Sequence, residues 1–63
     1  MNTFKVIYTF EKGVTVTEEV EAENKSEVIG SIKDLEGFVE LTCTEGHYHR
    51  FDFADVKLVT ITE

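Results

Sequence analysis

Strict alternation opens the chain. Phe4, Val6, Tyr8 and Phe10 share one parity and Lys5, Ile7 and Thr9 the other, the period of a strand with one buried face. Residues 14–22 alternate again, with Val14, Val16, Val20 and Ala22 on one face. Between the two runs, Glu11-Lys12-Gly13 is a three-residue connection ending in glycine, which suits a type I turn closed by a left-handed glycine. That loop pairs Phe10 with Val14, Tyr8 with Val16 and Phe4 with Val20, and sets Lys5 opposite Glu19. A slip of one residue would send the two apolar sets to opposite faces, so the register is well specified. Glu18 is the exception, because parity places its carboxylate among Val16 and Val20.

The period then changes. Asn24 followed by Glu27 resembles a capping box, and Val28, Ile29, Ile32 and Leu35 make one apolar stripe at helical spacing. Gly37 stands where a C-terminal glycine belongs, so a helix is predicted over about 25–36. Gly30 inside it costs about 1 kcal/mol against alanine, and is expected to mark close contact with the sheet.

Strand periodicity returns with Val39, Leu41 and Cys43. Thr44-Glu45-Gly46 repeats the first loop's grammar and pairs Cys43 with His47, Leu41 with His49 and Val39 with Phe51. Glu40 then faces Arg50, a second attractive pair. A last strand over about 56–62 folds back so that Phe51 meets Leu58 and Asp52 meets Lys57. Ala54-Asp55 is a poor hairpin turn, which leaves a short helical turn or bend as the other form of this connection.

The order β-β-α-β-β-β predicts an α+β fold in one domain, residues 1–63. If the last strand lies beside the first, it runs antiparallel. The sheet is then a curled, five-stranded antiparallel sheet of order 2-1-5-4-3, a partly open barrel packed on one helix. The first forty residues, from the hairpin Phe4 to Ala22 through the helix to Gly37, resemble a β-grasp domain of the ubiquitin-like or protein G-like group. Val59-Thr60-Ile61-Thr62-Glu63 is superficially similar to a protein G terminus. A β-grasp fold implies a last strand parallel to the first, and the tail departs from that. No binding residues carry over, and the Gly-Gly tail used for conjugation has no counterpart.

Composition restricts partners more than it identifies them. Thirteen acidic and six basic residues give a net charge of −7. Direct nucleic-acid binding and anionic membrane surfaces are therefore disfavoured, and basic proteins are the natural partners. Cys43 is the only cysteine, and Val6-Ile7-Tyr8 is the longest apolar run. The expected setting is cytoplasmic, with no membrane segment and no signal peptide.

Three surface features carry candidate chemistry. Cys43, His47 and His49 fall on one face of one hairpin, where they could hold zinc with Glu45 or water completing a tetrahedron. The simpler expectation is a buried cysteine beside two rim histidines, which would at most respond to pH. Catalysis by Cys43 is not expected, because a short sheet offers no deep cleft, and no catalytic residues or cofactors are assigned. Glu18, Glu19, Glu21 and Glu23 form an acidic run, with Glu19, Glu21 and Glu23 on one strand face. Small acidic inhibitors that phages direct against DNA-binding proteins use rows of carboxylates as DNA mimics; edge-strand protection accounts for the run more simply. Finally, Ile7, Phe38, Tyr48, Val59 and Ile61 are expected to share the face away from the helix, as an apolar patch that one helix cannot cover; the alternative is a closed barrel in which some of them turn inward.

The leading expectation is a small non-enzymatic acidic protein-interaction module acting through that apolar face, with a homodimer as one form of contact. The first alternative is a phage or mobile-element inhibitor of a DNA-binding protein. The second is a small metal- or pH-responsive protein.

Overall fold

The computed structural model describes residues 1–63. Its elements are β1 (Asn2–Thr9), β2 (Thr15–Ala22), α1 (Lys25–Lys33), β3 (Phe38–Thr42), β4 (Tyr48–Asp52) and β5 (Leu58–Thr62), with short 3-10 turns at Glu11–Gly13 and Phe53–Asp55. The class is α+β, with five strands and one helix as the periodicity predicts. β2, β1 and β5 form one sheet in that order, and β3 and β4 form a separate hairpin.

Both hairpin registers match expectation. Phe4 lies opposite Val20, Lys5 opposite Glu19 and Tyr8 opposite Val16, while Val39 faces Phe51, Glu40 faces Arg50 and Leu41 faces His49. The second loop is closed by Cys43 N–H donating to the His47 carbonyl at 2.8 Å, with Gly46 left-handed at φ 87°. The first loop departs from a simple type I turn. Lys12 (φ 63°) precedes Gly13 (φ 77°) in the left-handed region, so two successive residues turn the chain. Val14, expected on the core face, sits just outside β2 and is mostly exposed.

β5 runs antiparallel to β1, with Leu58 opposite Thr9 and Ile61 opposite Val6, which sets aside the β-grasp alternative. The pairing of Phe51 with Leu58 and Asp52 with Lys57 does not form. Instead the chain makes a 3-10 turn in which the Asp52 carboxylate accepts from Ala54 N–H at 3.0 Å. Lys57 N–H then donates directly to the Thr9 carbonyl at 2.8 Å, carrying the chain to β1 rather than back along β4. The hairpin meets the larger sheet at its other edge, where Thr44 N–H donates to Thr17 of β2 at 3.0 Å. The barrel is therefore partly open, and the join expected between β5 and β4 is replaced by a contact at β2.

The core lies between the inner face of the larger sheet, the hairpin and the helix. Phe4, Val6 and Tyr8 of β1 are buried to within 2% of full coverage, and Ala22, Val28, Val39, Leu41 and Cys43 are buried around them. Phe51 of β4 packs edge-on against Phe10 (5.0 Å between ring centroids) and tilted on Tyr8 (5.4 Å), so the two sheets meet through aromatic contact. Glu18 is accounted for by the same residue: Tyr8 Oη donates to Glu18 Oε1 at 2.8 Å, so the odd carboxylate on the core face has a partner. Burial, with the Glu18 carboxylate adding to it, holds the Tyr8 phenol well above the usual tyrosine value.

The helix begins as the sequence predicts. The Asn24 side chain accepts from Glu27 N–H at 3.0 Å, but the Glu27 carboxylate accepts from Glu23 N–H rather than from Asn24 N–H. Regular helix stops at Lys33, three residues before the expected end at 36, and Leu35 N–H closes onto the Ile32 carbonyl in a tighter turn. Val28 is buried and Ile32 and Leu35 pack on the core. Gly30 is exposed and a Cβ there would meet nothing within 4 Å, which corrects the expectation of close contact with the sheet.

Two stability predictions result. Gly30→Ala adds a methyl in open space within a helix and should stabilise the protein by about 0.5–1 kcal/mol, read from the midpoint of urea unfolding. Tyr8→Phe should cost about 1–2 kcal/mol by leaving the Glu18 carboxylate without its donor. The Tyr8 phenol holds its proton more tightly when folded than when unfolded. Its contribution is thus complete below pH 10.0 and lost as pH rises from there through the folded value. Unfolding measured on either side of pH 10.0 should show a steeper alkaline loss in the wild type than in Tyr8→Phe.

Candidate functional site

The β3–β4 hairpin presents two different faces. Residues 39, 41 and 43 and their partners 51, 49 and 47 point toward the core, and residues 38, 40 and 42 with 52, 50 and 48 point away.

On the inward face the apolar character fades along β4. Phe51 packs on Tyr8 and Phe10, His49 is half-buried, and His47 at the tip is exposed. Buried Cys43 lies beside the two histidines, and one ligand atom from each of Cys43, His47 and His49 falls within 4.8 Å of the others. The imidazoles meet edge-on, with 6.4 Å between centroids. Backbone bonds fix this arrangement: Cys43 and His47 close the loop, Gly46 N–H donates to the Cys43 carbonyl at 2.9 Å, and Thr44 is anchored to Thr17. A cleft of about 190 Å³ opens here, walled by Thr15, Val16 and Thr17 on one side and by Cys43, Thr44, Glu45, His47 and His49 on the other. The sequence thus anticipated the three-residue cluster. Glu45, expected as the fourth ligand if water is not, lines the cleft but does not join the converging set. The β2 wall was not foreseen, because it depends on the Thr44–Thr17 contact.

On the outward face Phe38 and Tyr48 stand 66% and 63% exposed. Between them the Arg50 guanidinium lies 4.8 Å from the Phe38 ring centroid, and its Nε approaches Glu40 Oε1 at 3.7 Å. Both charged side chains are more than half exposed, so this ion pair orients the face more than it stabilises the fold. The Tyr48 phenol is raised above the usual tyrosine value by partial desolvation and by the Glu40 carboxylate beside it, with Arg50 opposing. The Glu40–Arg50 register was legible in sequence, whereas the stacking of Arg50 on Phe38 was not.

The remaining expected surfaces change shape. Val59 and Ile61 lie opposite Tyr8 and Val6 and pack on the core, because β5 takes its register from Thr9 rather than from β4. Ile7 faces outward on the larger sheet between Thr17 and Thr60, in a field of threonines that includes Thr9, Thr15 and Thr62. The five-residue apolar patch is therefore split between two outer faces and the core. The acidic run is also divided. Glu19 and Glu21 are exposed on β2, Glu23 lies beyond the strand with its N–H held by Glu27, and Glu18 turns inward to Tyr8. No protein-family model matches the chain, and no curated protein or solved structure matches it significantly.

The outward face yields one direct check. Glu40→Gln removes the carboxylate beside Tyr48 and should bring the phenol back toward 10.0, followed by ultraviolet difference titration against a Tyr48→Phe control.

Proposed function

We propose that the protein is a small, non-enzymatic protein-binding module that docks through the outward face of the β3–β4 hairpin. The observation that carries this reading is the pair of mostly exposed aromatics, Phe38 and Tyr48, at opposite ends of that face. Aromatic and arginine side chains are the residues that most often anchor protein interfaces, and an aromatic ring buries a large area at the cost of only two torsions. Arg50, stacked on Phe38 and paired with Glu40, supplies a polar centre between the two anchors. The net charge of −7 favours a basic partner and speeds its approach. A second copy of the chain is less favoured, since two such surfaces repel at long range.

The acidic DNA-mimic reading draws less support. Only Glu19 and Glu21 remain as a row on the exposed strand face, and Glu19 faces Lys5 across the register.

The test is capture of partners on immobilised protein from native lysate, comparing wild type, a Phe38→Ser/Tyr48→Ser variant and a Glu19→Lys/Glu21→Lys variant. Both aromatics are exposed, so the first variant should fold normally. It should retain a specific partner at least about tenfold less well than wild type, and the second variant should retain it with a modest, salt-dependent loss. Equal retention by the aromatic variant, with loss confined to the charge variant, would replace this reading with the acidic one.

A further inference from the structure

We propose that Cys43, His47 and His49 form a binding site for a divalent, borderline-soft transition-metal ion, zinc first among them. This rests on the inward rim of the hairpin and is independent of the docking face on its other side. One thiol and two imidazoles are the donor set that suits zinc, and they exclude magnesium and calcium, which require oxygen ligands.

The geometry is close to what such an ion needs. Zinc–sulfur and zinc–nitrogen bonds of ~2.3 and ~2.0 Å at tetrahedral angles place ligand atoms roughly 3.3–3.6 Å apart. The ligand atoms of Cys43, His47 and His49 lie within 4.8 Å of one another, so closure by about an ångström completes three corners of a tetrahedron. His47 can supply that movement by side-chain rotation, because it is exposed. Cys43 and His49 need not move far, since both are held on the inner face of a paired hairpin whose loop is closed by Cys43 and His47 themselves.

The surroundings fit the same role. The fourth corner faces the cleft, where water can enter and where Glu45 stands on the wall. Binding requires the Cys43 thiolate, so each ion taken up releases the thiol proton to solvent, and affinity rises with pH. The surplus of negative charge on the chain raises the local concentration of cations.

The experiment uses the full chain, reduced and purified without chelator, titrated first with cobalt(II) as a spectroscopic stand-in and then with zinc(II) in competition. The expected result is one ion per chain, with tetrahedral visible bands and a thiolate-to-cobalt charge-transfer band that zinc abolishes. Cys43→Ala should remove the charge-transfer band. His47→Gln, at an exposed position that the fold does not need, should weaken zinc binding by more than about tenfold while leaving the circular dichroism spectrum unchanged. At one fixed zinc concentration the unfolding temperature should rise most in the wild type and clearly less in either variant. Octahedral cobalt spectra without charge transfer, or zinc affinity unchanged in His47→Gln, would overturn the site and assign any bound metal to surface carboxylates.

Discussion

The fold depends on the inner face of β1. It is the only strand with neighbours on both sides, and its Phe4, Val6 and Tyr8 are the most completely buried row in the molecule. Everything else packs toward that row: Val20 and Val16 from β2, Ile61 and Val59 from β5, and Phe51 from the hairpin. Tyr8 stands at the crossing point. Its ring joins the two sheets and its hydroxyl provides the partner that makes a carboxylate tolerable on the core side of β2. In a chain of 63 residues, with no disulfide available to a single cysteine, this one row has no reserve behind it.

What the sequence made legible was whatever is decided locally. Glycine-terminated loops fixed both hairpin registers, because a period of two leaves no room for error once the loop length is set. The Cys43, His47 and His49 cluster was legible for the same reason, as its members lie within one hairpin. The partner of Glu18 could also have been found: Tyr8 faces Val16, which puts it diagonally next to Glu18 on the same face.

The rest was decided at a distance. Between Asp52 and Leu58 the chain passes through a 3-10 turn and loses its parity, so nothing nearby says which face Val59 and Ile61 take. The pairing of Leu58 with Thr9 settles it, and that contact spans most of the chain. The same non-local choice dissolved the expected apolar patch and left Phe38 and Tyr48 as its exposed remainder. The cleft's far wall is a consequence of the Thr44–Thr17 contact, which no local pattern announces. Gly30 suggested a tight approach to the sheet, and the open space around it shows that a costly residue inside a helix does not by itself report a contact.

The pairing of β5 with β1 also sets an order in time. Both hairpins bring together residues close in sequence and can form early in folding. The free edge of β1 is covered only when Leu58–Thr62, distant in sequence, closes onto it. Until that closure the central strand is an unsatisfied template, with its backbone groups open to any extended segment nearby. On its water-facing side Thr3, Lys5 and Thr9 interrupt the apolar character with polar groups, which lessens that hazard until β5 closes.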